Sequence, residues 1–178
     1  KYYLNVAVGT PTTTQPLFRS FTNGQFYSPS SINGDVEMLF SFRMENADYD
    51  SEWLGLSFRM QDSRNRYAAE TDGKNIRIAK YVNGTRTVLK TMSYPLQSKR
   101  DYTFKLRIIG AEMQLFLDGA PLFTVSDSAF SGGRYGYFAD KSFVSFGPLA
   151  YRALQLKDEW SHSYAIWDPV TAKAEVRY

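Results

Sequence analysis

The stretch Tyr102-Thr103-Phe104-Lys105-Leu106-Arg107-Ile108, followed after Gly110-Ala111-Glu112 by Met113-Gln114-Leu115-Phe116-Leu117 and then Asp118-Gly119, decides the class of this chain. Side chains alternate faces along a strand, so Tyr102, Phe104, Leu106 and Ile108 share one face. Met113, Leu115 and Leu117 share one face of the next run. Each run is closed by residues that accept positive φ: Gly110 between the two, Asp118-Gly119 after the second. A third run from Leu122 to Val125 continues the meander. Gly132-Gly133-Arg134-Tyr135-Gly136-Tyr137 then marks a strand entered through tight corners.

The same period-two pattern extends outward in both directions. In 35–44, Val36, Met38, Phe40 and Phe42 oppose Glu37, Ser41 and Arg43. In 53–60, Leu54, Leu56, Phe58 and Met60 oppose Trp53, Ser57 and Arg59. Asp62-Ser63-Arg64-Asn65 is a turn, rich in side chains that bond their own backbone. Residues 66–71 return from it. The runs 76–82 and 85–92 flank Asn83-Gly84, the strongest short-range hairpin signal because a type I′ turn needs positive φ twice. Residues 134–138 and 143–150 are the last clear strands. Residues 1–8 alternate weakly, 9–16 read as a Pro/Thr loop, and 172–178 alternate like a closing strand able to pair with the N-terminal one. Asp158-Glu159-Trp160 and Trp167-Asp168-Pro169 read as loops. No segment carries an apolar stripe at helical spacing. Strands recurring every 8–12 residues imply an all-β sandwich or barrel. We expect one domain over residues 1–178, with its core at about 17–150.

Composition agrees with a sheet protein. Of 178 residues, 13 are Tyr, 13 Phe and 3 Trp, and flat rings pack well on pleated surfaces. The formal charge of +3 is small, and Lys and Arg are scattered among acids, so no nucleic-acid partner is expected. With no Cys, disulfides and thiolate metal sites are excluded. No apolar run approaches the about 20 residues of a membrane helix, so membrane insertion is not expected. The chain opens inside an apparent strand, which is the expectation for a piece of a longer multidomain protein.

Gly55-Leu56-Ser57-Phe58-Arg59 followed by Asp62-Ser63-Arg64-Asn65-Arg66-Tyr67 resembles a Gly-x-x-Phe-Arg … Asp-x-x-Asn-x-Tyr hairpin of the concanavalin A-like lectin/glucanase sandwiches. Tyr102-Thr-Phe-Lys-Leu-Arg-Ile, Leu115-Phe-Leu-Asp118-Gly119, Asp127-Ser128 and Gly133-Arg-Tyr-Gly136 follow in the order of that superfamily. The pattern is similar to laminin-G-like domains and family-66-type carbohydrate-binding modules, over about residues 17–150. The resemblance implies an antiparallel two-sheet jelly roll. It also implies a non-catalytic carbohydrate-binding module of a secreted or cell-surface bacterial protein, recognising a polysaccharide or glycan. A structural or adhesive domain with a protein partner, and a glycoside-processing enzyme, are the alternatives. Where the superfamily has Phe-Asp-Asn near the last strand, this chain has Phe146-Gly147-Pro148.

The residues point away from catalysis. His162 is the single histidine, in a poorly patterned tail, which suits neither a triad nor a transition-metal site. No strand shows the paired carboxylates of a glucanase. Sugar binding asks for aromatic faces and a few fixed polar groups. On that basis the candidates are Trp53, Arg59 and Glu70, expected on one face, with Arg59 and Glu70 as near-diagonal neighbours. An exposed ion pair is the alternative reading of those two. Tyr135 and Tyr137 are added because they share a face. No cofactor is required. The loop carrying Glu45, Asp48, Asp50 and Glu52 is a candidate for structural Ca²⁺, which takes six to eight oxygens from such loops.

Overall fold

The computed structural model describes residues 19–21, 24–45, 53–140, 144–154, 165–168 and 173–175. Among them are fifteen strands and no helix: β1 (Arg19–Phe21), β2 (Gly24–Tyr27), β3 (Ile32–Asn33), β4 (Val36–Met44), β5 (Leu54–Asp62), β6 (Asn65–Thr71), β7 (Asn75–Val82), β8 (Thr85–Ser93), β9 (Asp101–Ile109), β10 (Glu112–Leu117), β11 (Ala120–Ser126), β12 (Gly132–Ala139), β13 (Val144–Ala153), β14 (Ala165–Asp168) and β15 (Lys173–Glu175). They form two antiparallel sheets. The first runs β11-β10-β9-β4-β13-β14-β15, with β1 also on β13. The second runs β2-β12-β5-β6-β7-β8, with β3 also on β12. The chain is therefore a β-sandwich of the jelly-roll kind.

The hairpins form where turn chemistry demands. Asn83 (φ 51°) and Gly84 (φ 80°) join β7 to β8, and Asp118 (φ 48°) with Gly119 (φ 85°) joins β10 to β11. Two successive positive φ values give the turn whose twist matches the flanking strands. The alternation in β9 is realised in burial: Tyr102, Phe104, Leu106 and Ile108 are buried, and the residues between them face outward. Two features were not expected. Trp167 and Asp168 lie in β14 rather than a loop. β15 pairs with β14, while residues 1–8, proposed as its partner, lie outside the described residues, as do Trp160 and His162.

The core between the sheets is a continuous array of rings. Phe40, Phe42 and Phe104 pack at 5.1–5.8 Å between centroids. Tyr137 stacks on Phe146 at 4.4 Å and 11°, and its hydroxyl donates to the Gly147 carbonyl at 2.5 Å. Tyr135 packs on Tyr151 at 5.1 Å. Such offset pairs add to the burial of 150–250 Å² that each ring brings, so this array dominates stability.

At one edge of the core, the Tyr67 hydroxyl donates to Asp127 Oδ1 at 2.5 Å, and Lys80 Nζ pairs with Asp127 Oδ2 at 2.7 Å. Burial and the Asp127 carboxylate push the Tyr67 phenol up to about 12. A tyrosine raised in the folded state adds stability that is complete below its ordinary value near 10 and is lost as pH climbs to about 12. Urea titrations of wild type and Tyr67→Phe across that window are expected to converge, with wild type losing at most about 3 kcal/mol more than the variant. Parallel curves would contradict this coupling.

Candidate functional site

The outer face of the second sheet carries the site. In β6 the core takes Tyr67 and Ala69, so Arg66, Ala68 and Glu70 face out; in β7 the core takes Ile76 and Ile78, so Arg77, Ala79 and Tyr81 face out. Antiparallel register sets Glu70 opposite Arg77, Ala68 opposite Ala79 and Arg66 opposite Tyr81. On the other side, β5 sets Gly55 opposite Glu70 and Ser57 opposite Ala68, and β12 sets Phe138 opposite Gly55 and Gly136 opposite Ser57. A row of small residues (Gly136, Ser57, Ala68, Ala79) thus crosses the four strands, with charged and aromatic groups on either side. The result is a cavity of about 430 Å³ lined by Gln25, Trp53, Arg66, Glu70, Arg77, Tyr81, Arg86, Phe138, Ala139 and Asp140.

Its polar groups are held rigidly. Glu70 Oε1 accepts from Arg77 Nε at 3.2 Å and from the Tyr81 hydroxyl at 3.1 Å. The Arg77 guanidinium lies 3.3 Å from the centroid of the Trp53 ring. The Arg66 guanidinium is sandwiched between Tyr81 (4.2 Å) and Phe138 (4.7 Å) and donates through Nη1 to Ser57 Oγ at 3.0 Å. Glu70 is 0% exposed and Arg77 7%. Burial pushes the Glu70 carboxyl above its ordinary value, against the pull of Arg77, Arg66 and Tyr81. Burial likewise holds Arg66 below the usual guanidinium value. Of the residues lining this cavity, two carry a buried side-chain atom without a hydrogen-bond partner among the described residues: Glu70 at Oε2 and Arg77 at Nη2. A buried acceptor and a buried donor left without partners cost stability. They are also the groups that a pair of ligand hydroxyls would satisfy.

The five residues proposed from the sequence separate into two sets. Trp53 and Glu70 meet in the cavity, joined through Arg77. Arg59 does not join them. Around Arg59 the β5–β6 register shifts between Phe58 and Asp62, and Arg59 itself has φ 46°. That breaks the alternation and removes the expected diagonal to Glu70. Its guanidinium instead donates to the carbonyls of Gly110 (2.9 Å), Phe130 (3.2 Å) and Gly34 (3.4 Å), fastening three loops at one end of the sandwich. Tyr135 and Tyr137 face the core, 0% and 1% exposed, and the cavity side of their strand is the one bearing Phe138.

Of the acidic loop, Glu45 is described. Its Oε1 accepts from Arg43 Nε and Ser145 Oγ, both at 2.8 Å. Asp48, Asp50 and Glu52 lie outside the described residues.

Arg66, Arg77, Tyr81 and Phe138 were not among the sequence candidates. The Asn83-Gly84 turn places Tyr81 opposite Arg86. The missing step was the β6–β7 register across Asp72-Gly73-Lys74-Asn75, where Asp72 Oδ1 accepts from the Lys74 and Asn75 amides. Given that register, the outward pairs Arg66/Tyr81 and Glu70/Arg77 follow.

Gly55 sets how closely this wall approaches. A Cβ there would meet the Ala69 carbonyl and lie 2.8 Å from Glu70 Cα. Gly55→Ala is expected to lower stability by about 1–3 kcal/mol through overpacking, measurable by urea denaturation. An unchanged midpoint would show that β6 moves aside freely.

Neither protein-family models nor curated proteins match this sequence. Solved structures do match its fold. A family 66 carbohydrate-binding module from Bacillus subtilis superposes with TM-score 0.66 at 20% identity, over 75% of this chain and 84% of that one. Sheep galectin-11, in complex with glycerol, gives 0.55 at 7% identity, over 74% and 98%. An alginate lyase from a Corynebacterium species gives 0.51 at 13% identity, over 72% and 61%. At these identities the likeness speaks to architecture alone. The chain has the concanavalin A-like sandwich fold shared by these lectin-like modules and enzymes.

Proposed function

We propose that this chain is a non-catalytic carbohydrate-binding domain, and that the cavity on the outer face of its second sheet is the sugar site. One observation carries the reading: Glu70 Oε2 and Arg77 Nη2, a buried acceptor and donor without partners among the described residues, belong to residues that line a cavity walled by Trp53, Tyr81 and Phe138. Aromatic walls with a few fixed polar groups are the chemistry that recognises a sugar ring and its hydroxyls. The cavity is compact, so it suits one or two sugar units better than a long stretch of polymer. A module of this kind would serve a larger secreted or cell-surface protein by keeping it at its polysaccharide.

A glycoside-processing reading draws on a second observation: Glu70, with its raised carboxyl, shares the cavity with Asp140. Glu70 is committed to Arg77 and Tyr81, which favours a recognition role over proton transfer. Native affinity gels containing a fructan, a galactan, an arabinan, a xylan or a β-glucan test the proposal, run beside assays for new reducing ends and unsaturated products. Retardation in at least one gel without turnover is expected. Turnover would establish the enzyme, and absence of retardation in every gel would overturn the carbohydrate reading.

A further inference from the structure

Glu70 and Arg77 present a physical puzzle. They project from the outer face of a sheet, yet Glu70 is fully buried and Arg77 is 7% exposed. Groups on an outer face are shielded only by other side chains laid over them. Over Arg77 that cover is the Trp53 indole, 3.3 Å from guanidinium carbon to ring centroid. Over Glu70 it includes the Tyr81 hydroxyl. Tyr81 is itself fixed, because its ring lies under the Arg66 guanidinium, which is wedged on its far side against Phe138. Trp53 precedes β5 rather than lying within it, and it is partly exposed. Its backbone carbonyl is fixed by the Asp140 amide at 3.0 Å, and its indole rests on Arg77 through a cation–π contact, an interaction that is modest beside the cost of two unsatisfied buried polar atoms.

We infer that Trp53 is a gate over the Glu70–Arg77 pair: the indole leaves the guanidinium to admit a ligand, whose adjacent hydroxyls then reach Glu70 Oε2 and Arg77 Nη2. This rests on the carbohydrate reading above for the ligand, and on the stacking geometry alone for the motion. In the closed state the open donor and acceptor destabilise the folded protein. In the bound state both are satisfied, and the freed indole face is available to the sugar ring. The gate thus couples aromatic recognition to polar recognition, and a ligand lacking two neighbouring hydroxyls would gain from neither.

The test uses protein labelled with 5-fluorotryptophan, with the residue 53 signal assigned as the one absent from Trp53→Phe. ¹⁹F relaxation dispersion is measured on the free protein and after adding, separately, fructan, galactan, arabinan, xylan and β-glucan oligosaccharides. Microsecond-to-millisecond exchange at Trp53 is expected in the free protein, with the exchange quenched and the signal shifted by the mixture that binds. Stopped-flow association with that mixture should level off at the opening rate in wild type. Trp53→Ala should raise that plateau at least tenfold. A Trp53 signal free of exchange, or left unshifted by a mixture that calorimetry shows to bind, overturns the gate while leaving the site standing. If no mixture binds, the carbohydrate reading falls, and the free-protein dispersion still decides the gate: exchange supports it and its absence rejects it.

Discussion

Glu70→Leu is expected to lower the stability of the domain by about 3–5 kcal/mol, because it strands the Arg77 guanidinium without its carboxylate. Arg77 is nearly buried and Trp53 lies over it, so water cannot readily replace the lost partner. The double variant Glu70→Leu/Arg77→Leu removes both charges and is expected to lose less than Glu70→Leu alone, since an apolar pair of similar volume often substitutes for a buried ion pair at little cost. The direction of the Glu70 shift adds a pH signature. Its folded value is raised above the ordinary 4.5, so its contribution is complete below that value and declines as pH rises through the folded one. Glu70→Gln should remove that decline. Urea denaturation of the four proteins between pH 4 and 8 checks all three expectations, and a double variant less stable than Glu70→Leu would contradict the account.

Tyr137→Ala is expected to cost about 3–5 kcal/mol, the range for truncating a large buried ring. For a chain of this size that is a fall of roughly 10 °C in melting temperature. The reasons are the Phe146 stack at 4.4 Å, the Phe40 contact at 5.8 Å and the hydroxyl bond to Gly147. Tyr27→Ala is the control: Tyr27 is 42% exposed, and exposed substitutions usually stay within about 0.5 kcal/mol. A surface ligand role for Tyr137 would reverse the pattern, leaving stability untouched and binding lost.

These two cases show what a single sequence reveals and what it withholds. The β9–β10 hairpin, the Asn83-Gly84 turn and the Asp118-Gly119 turn were legible because their determinants are local: strict alternation and adjacent residues that accept positive φ. Glu70 on an outward face was legible for the same reason. Tyr135 and Tyr137 were placed on one face correctly, but which face meets the core is decided by β13, whose Phe146 comes from a distant part of the chain. Arg59 was misplaced because its positive φ and the accompanying register shift break the period-two rule, and no Gly or Asn stands there to signal it. Arg77 and Phe138 lie on either side of Glu70 only after β12, β5, β6 and β7 are aligned. A site built across four strands is a property of register, and register is where a one-residue shift reverses every inference about faces.

The central claim is that the Glu70–Arg77 pair recognises a sugar, and titration calorimetry of wild type and Glu70→Gln with the same five polysaccharides tests it most directly. The account predicts that at least one polysaccharide binds wild type and that Glu70→Gln, folded and with its fluorescence spectrum intact, binds it roughly 10- to 100-fold more weakly, the loss of one hydrogen bond to a charged acceptor. Equal affinity for the two proteins would contradict it, because the cavity would then be scaffold and the sugar would sit elsewhere.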